Sequence, residues 1–171
     1  MAATRIGASQ TELLDEGAYR EAMQRAGHLL ASRPRTEHEL RVRLSMAGFE
    51  ELVVDRAVER LIELRLIDDA AFAQQWVSER ALGRGRAGEA LVAELIEKGI
   101  EREAAEEAVA AAGIDEVAQA AEVAARFVSK VGDKPLERQA EALLGRLLRR
   151  GFSHEIAHDA VRAVLPPEGW D

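Results

Sequence analysis

The chain has 171 residues, a formal net charge of −8 and no cysteine. Disulfides, Cys-based zinc sites and thiol nucleophiles are excluded, and so is coating of nucleic acid by bulk positive charge. Hydrophobic residues make up 47% but aromatics only 4%, so a core must come from Leu, Ala, Val and Ile. No apolar run approaches the 18 residues or so of a membrane span, which predicts a soluble, cytoplasmic protein without membrane contact.

Residues 1–20 carry little apolar periodicity and contain Gly7, Ser9, Gln10 and Gly17, which predicts a flexible N-terminal tail. A first helix is expected over 22–33, with Met23, Ala26, Leu29 and Leu30 inward and Pro34 ending it. Thr36-Glu37-His38-Glu39 reads as a capping box opening a second helix to about Ala47. A third runs from about Glu50 to Arg65, with Leu52, Val54, Ala57, Val58, Leu61, Ile62 and Leu64 as its apolar face. Asp68 or Asp69 is an N-cap for a fourth, in which Phe72, Trp76 and Val77 share a face and read as core.

Gly83-Arg84-Gly85-Arg86 breaks the chain before helices at about 86–98 and 101–112. After Gly113, the residues Val117, Ala120, Ala121, Ala124, Phe127 and Val128 mark a seventh helix. Gly132-Asp133-Lys134-Pro135 is a turn. Helices over about 136–150 and 153–165 follow, and Pro166 and Pro167 open a C-terminal tail, 166–171.

A frame recurs without gaps. Leucine stands eight and four residues before Gly48, Gly99 and Gly151, as Leu40/Leu44, Leu91/Leu95 and Leu143/Leu147. A large apolar residue follows each glycine, and Ala57-Val58, Ala108-Val109 and Ala160-Val161 lie nine and ten residues beyond. Leucines four apart share a helix face, and glycine supplies the left-handed residue that stops the helix. The fold class is therefore all-α, an elongated tandem array of three three-helix repeats at 21–66, 67–113 and 114–165.

Three motif matches fail in context. His154-Glu155-Ile156-Ala157-His158 fits a zinc-hydrolase pattern, but in the repeat frame both histidines fall at positions held by charged residues in the other copies. Gly83-Arg84-Gly85-Arg86-Ala87-Gly88 fits a dinucleotide fingerprint but follows a helix rather than a strand. A helix-turn-helix reader of DNA needs a neutral or basic start to its recognition helix, and the post-glycine helices begin with Glu50-Glu51, Glu101 and Glu155 nearby. No catalytic residue, metal or cofactor is expected.

The cations gather instead on and before the second helices. They are Arg33, Arg35, Arg41 and Arg43; then Arg80, Arg84 and Arg86, with Lys98 beside Gly99; then Arg146, Arg149 and Arg150. Arg33, Arg35, Arg41, Arg43, Arg84, Arg86, Lys98, Arg146, Arg149 and Arg150 form the expected partner-binding basic face. Solvated helix faces are the plain alternative.

The chain resembles the RecX family of bacterial RecA regulators. The resemblance covers about residues 24–165. It rests on Leu29-Leu30-Ala31-Ser32-Arg33-Pro34-Arg35-Thr36-Glu37-His38-Glu39-Leu40-Arg41-Val42-Arg43-Leu44 with Gly48-Phe49. To these it adds Leu66-Ile67-Asp68-Asp69-Ala70-Ala71-Phe72-Ala73 with Trp76, Glu94-Leu95 with Lys98-Gly99-Ile100, and Arg149-Arg150-Gly151-Phe152-Ser153. It departs at Ala47, where the family usually has a basic residue, and at Ala87-Gly88-Glu89-Ala90, where relatives are commonly more basic. The resemblance implies a non-catalytic monomer that binds the RecA–DNA filament and inhibits RecA ATPase, strand exchange and co-protease activity. It also sets Arg33, Arg35, Arg41, Arg43, Arg84, Arg86, Arg149 and Arg150 against the filament, with single- or double-stranded DNA as a further direct contact. The alternative is a helical-repeat adaptor for another protein, without nucleic acid.

Overall fold

The computed structural model describes residues 3–166, with side chains from Glu16 onward apart from Leu82. Among them are nine α-helices and no strand: α1 Ala3–Ser32, α2 Glu37–Met46, α3 Glu51–Glu63, α4 Asp69–Arg84, α5 Gly88–Glu97, α6 Arg102–Ala111, α7 Glu116–Val128, α8 Leu136–Leu148 and α9 His154–Arg162. The helices run in three consecutive sets of three. The chain forms two compact units, Met1–Phe72 with Lys98–Ile100, and Ala73–Glu97 with Glu101–Asp171.

The leucine frame is the core. Leu40, Leu44, Leu91, Leu95, Leu143 and Leu147 are all buried, none more than 1% exposed. The glycines end their helices as the frame requires. Gly48, Gly99 and Gly151 have φ of +92°, +85° and +90°. At the first and third, the N–H of the following phenylalanine bonds back to the helix: Phe49 to the Leu44 carbonyl and Phe152 to the Leu147 carbonyl, both at 3.3 Å. These are Schellman bonds, which satisfy carbonyls the helix would leave open. The same closure ends α3, where Leu66 N–H reaches the Leu61 carbonyl at 2.9 Å. There the left-handed residue is Arg65, φ +56°. A Cβ costs about 1 kcal/mol in that region. Arg65→Gly is therefore expected to raise stability by about 0.5 kcal/mol or be neutral, the gain being offset by unfolded-chain entropy. Urea denaturation midpoints measure this.

Three expectations are corrected. The helix expected at 22–33 begins at Ala3, so residues 3–20 are helical rather than a tail. Ala18 and Tyr19 pack on the core built around Ala22, Ala26, Leu40 and Val58. The Arg56 guanidinium lies 4.0 Å from the Tyr19 ring centroid and 2.9 Å from the Glu16 carboxylate. Those contacts hold a stretch whose Gly17 argues against helix.

On α3 the buried stripe is Val53, Val54, Ala57, Val58 and Leu61, while Leu52, Ile62 and Leu64 are exposed at 77%, 41% and 45%. The helix has more apolar residues than one face can bury. On α7 the same holds: Val117 is exposed and Val123 buried. Trp170 and the rest of the expected C-terminal tail from Pro167 lie outside the described residues.

The start of α2 and the start of α5 are built alike. Asp68 caps α4 by accepting from Ala71 N–H at 2.9 Å. Its neighbour Asp69 turns the other way and accepts from Glu37 N–H, the first residue of α2, at 2.9 Å. In the second unit Asp115 caps α7 and Glu116 accepts from Gly88 N–H, the first residue of α5, at 2.7 Å. A glycine turn docks at each place. The Lys98 carbonyl accepts from the Thr36 hydroxyl at 2.6 Å, and the Arg150 carbonyl from Ala87 N–H at 3.0 Å. Gly99 lies against His38 and Gly151 against Ala90, too close for any Cβ. A helix N-terminus presents unsatisfied N–H groups and a positive dipole end. A carboxylate and a turn carbonyl answer both.

A candidate anion-binding interface

In the first unit Arg33, Arg41 and Lys98 are held by acids. Arg33 makes a two-pronged contact to Glu39, at 2.9 and 3.1 Å, and Lys98 reaches the same carboxylate at 2.9 Å. Burial raises the Glu39 carboxyl, but hydrogen bonds from Arg33 and Lys98, with the field of both cations, bring it down to about 2. The box opened by Thr36 is thus half formed. Thr36 accepts from Glu39 N–H at 3.1 Å, while the Glu39 side chain serves the cations.

Arg41 is bound between Glu37, at 2.7 Å, and Asp55. The hydrogen bond it donates to Glu37 leads the contributions that raise its pKa, ahead of the opposing cost of burial. Arg35 donates to the Leu29 carbonyl at 3.1 Å. Burial, then the charge of Arg33, lower its pKa. Arg43 is exposed.

The second unit is different. Arg80, Arg84, Arg86, Arg149 and Arg150 line one cavity of about 220 Å³. The second-helix frame explains the excess charge. The position that carries Glu39 in the first repeat carries Ala90 here, so that counter-ion is gone. Glu94 on α5 partly replaces it, pairing with Arg86 at 2.7 Å and lying 3.9 Å from Arg80. The Trp76 indole N–H donates to Glu94 at 3.0 Å, and Arg80 stacks on the Trp76 ring at 4.1 Å.

Backbone carbonyls at the helix ends fix Arg86 and Arg150. Arg86 donates to the Arg149 carbonyl at 2.8 Å. Arg150 donates to the carbonyls of Arg84 and Arg146, at 3.2 and 3.4 Å. Arg146 stacks on Phe127 at 4.0 Å, with Lys130 at 4.7 Å and Arg150 at 5.3 Å from the same ring. Burial, then the charges of Arg146, Arg86, Arg126 and Arg149, push the Arg150 pKa down. Such a set of fixed, mutually repelling guanidinium groups favours an anion, above all one with the geometry of phosphate.

Comparison with known proteins identifies the family. Residues 22–61 match the family model described as "RecX, first three-helix domain", and residues 68–109 match "RecX, second three-helix domain". The Regulatory protein RecX of Thermobifida fusca is 34% identical over 90% of this chain and 84% of its own length. That of Mycolicibacterium vanbaalenii is 38% identical over 90% and 89%. The chain belongs to the RecX family.

As a RecX-family member it is a regulator of RecA, not an enzyme. The crystal structure of RecX from Lactobacillus salivarius superposes with a TM-score of 0.74 at 20% identity, covering 87% of this chain and 97% of that one. A second structure, described as regulatory protein RecX, gives 0.77 at 19% identity over 95% and 78%. Both share the all-α fold.

His154 is exposed on α9, and among the described residues no cluster of three His, Asp or Glu could hold a metal ion. Gly83 lies inside α4, and only Gly85, φ +58°, breaks the chain there. No described helix is long and apolar enough to cross a membrane.

Of the ten basic positions expected, Arg84, Arg86, Arg149 and Arg150 are brought together at one cavity. Arg146 joins them through Phe127. Arg33, Arg41 and Lys98 are in ion pairs of their own. Trp76 and Glu94 had no place in the expected site. Phe72 and Val77 are core, as their spacing implied, but Trp76 is half-buried and holds Arg80 and Glu94 in position. The signal was available: Trp76, Arg80 and, on α5, Glu94 are each one helical step from a basic residue.

Proposed function

We propose that this chain binds the RecA–DNA filament in the cytoplasm, as a monomer, and restrains RecA. The activities lowered are its ATPase, strand exchange and co-protease functions, and hence recombination, DNA repair and the SOS response. The observation that carries the binding site is the cavity lined by five arginines, of which Arg86 is paired with a carboxylate, Glu94, that also lies 3.9 Å from Arg80. Phosphate oxygens of filament DNA satisfy that charge. A net charge of −8 keeps the rest of the surface from binding nucleic acid indiscriminately. Arg43 supplies a weaker contact from the first unit.

The test is RecA ATPase on single-stranded DNA. Arg84 and Arg149 are both exposed, so Arg84→Glu with Arg149→Glu leaves the helices intact. The double variant is expected to need at least tenfold more protein for half-inhibition. Arg43→Glu alone is expected to shift that point about threefold or less. Inhibition by the parent should weaken with salt, and the slope should fall in the double variant by roughly one unit for each phosphate that is no longer neutralised. Undiminished inhibition by the double variant rejects the cavity as the site. A parent protein that leaves RecA unaffected, yet binds a protein partner without DNA, supports the adaptor reading.

A further inference from the structure

The Gly99 and Gly151 turns each rest on the first turn of a helix, α2 and α5 respectively, through the carbonyl before the glycine. The Gly48 turn has the same left-handed backbone as both, and the same Schellman bond as the Gly151 turn. Among the described residues, however, nothing lies within 4 Å of the place its Cβ would occupy.

The side chains around it differ in kind. Two residues before the glycine stand Met46, Glu97 and Arg149 in the three repeats. Four residues after it stand Leu52, Glu103 and Glu155. The docked turns carry charge at both places. The undocked one carries Met46 and Leu52, each 77% exposed. Ile100 and Phe152, next to the docked glycines, are 4% and 3% exposed, whereas Phe49 is only partly buried. An open end of a repeat array ordinarily has a polar outer face. Apolar side chains at the one open turn mark a surface that is covered in use.

We propose that the Gly48 turn, with Met46, Phe49 and Leu52, docks the N-terminal turn of a helix of RecA, an inference that rests on the function proposed above. The two internal examples define the occupant. It begins with a hydroxyl or N–H donor to the Ala47 carbonyl, places a small residue against Gly48, and sets apolar side chains on Met46 and Leu52. The places in a second copy that correspond by the repeat frame are closed among its described residues. The first turns of its α2 and α5 are already occupied. The corresponding place on α8, Gln139, is buried and donates to the carbonyls of Gly132 and Lys134, at 3.3 and 2.6 Å. α8 starts three residues earlier, at Leu136, and covers that place with its own chain.

The absence of cysteine allows a single label. Met46→Cys carrying a benzophenone maleimide is irradiated with RecA on single-stranded DNA. The expected cross-link maps to the first turn of a RecA helix and disappears under excess unlabelled parent protein. In parallel, Met46→Glu with Leu52→Glu should lower affinity for the filament at least tenfold while circular dichroism and the melting temperature stay unchanged. Cross-links to DNA or to a second copy, no cross-link, or parental affinity in the Glu variant overturns the proposal. If the parent does not bind the filament at all, the functional reading falls first and this one with it. Parental binding with an inert Gly48 turn removes only this one.

Discussion

Gly151→Ala is expected to destabilise the second unit by about 3 kcal/mol or more, and Gly99→Ala the first unit by a similar amount. Gly48→Ala should cost only about 1 kcal/mol. All three share a positive φ near +90°, so the strain of a side chain in the left-handed region is common to them. What separates them is the neighbour. A Cβ at Gly151 would sit 2.5 Å from the Ala90 Cβ and 3.1 Å from its backbone nitrogen, neither of which can rotate away. A Cβ at Gly99 would overlap the Cβ of His38. At Gly48 the space is open. Pushing either turn outward also lengthens its hydrogen bond, Lys98 with Thr36 or Arg150 with Ala87. Thr36 is fully buried, so its hydroxyl would lose a partner it cannot replace with water. Urea denaturation of the three variants checks the order. Equal losses of stability at the three glycines would show that docking contributes nothing beyond backbone strain.

Glu39→Gln is expected to cost on the order of 2 kcal/mol at neutral pH, because it leaves Arg33 and Lys98 without their shared carboxylate. The Glu39 and Lys98 side chains are each 17% exposed, so solvent screens the pair only in part. The pH dependence follows from the depressed pKa. The unfolded carboxyl titrates near 4.3, and in the fold it is held at about 2. Its contribution is complete above about pH 5 and is lost as the pH falls from there toward 2. The parent and Glu39→Gln should therefore converge in stability near pH 2, measured by thermal melts across that range. A gap that stays constant down to pH 2 would place the effect in packing rather than charge. Asp69 works in the opposite direction. Burial leads the influences that raise its pKa, against the hydrogen bond from Glu37 N–H. It weakens the fold slightly as the pH rises from about 4 through its raised pKa, mostly above the range over which Glu39 gains its effect.

Much of the candidate site was legible as a list of residues but not as a site. Arg84, Arg86, Arg149 and Arg150 stand out by composition alone, and so do Arg33, Arg35 and Arg41. Sequence spacing cannot separate the two groups, because both sit before or on a second helix. The difference is one residue deep. Glu39 lies one helical turn past the start of α2 and can reach Arg33 and Lys98, while the equivalent residue of α5 is Ala90. A cation's charge is least available where carboxylates match the cations one for one or nearly so, as around Arg33, Arg41 and Lys98. At the cavity Glu94 pairs with Arg86 and lies near Arg80 only, and leaves an excess of positive charge. That depends on distances across helices that are dozens of residues apart in the chain.

The helix count, the leucine core, the left-handed glycines and the family were all determined by the sequence alone. Each rests on a local rule: leucines four apart share a face, and glycine after the last turn closes a helix without steric cost. The resemblance was carried by short motifs in order. Tertiary structure decided what those rules leave open. It carried α1 through Gly17 with the contacts of Glu16, Ala18 and Tyr19. It chose Val53 over Leu52, because a helix face buries only one stripe of an over-long apolar set. It gave Gly99 and Gly151 their docking role and left Gly48 without one. It also gathered five arginines at one cavity while giving Arg33, Arg41 and Lys98 carboxylate partners. The physical reason is the same in each case: packing and ion pairing act over a few ångströms in space, and the chain order of residues that meet so late does not encode them.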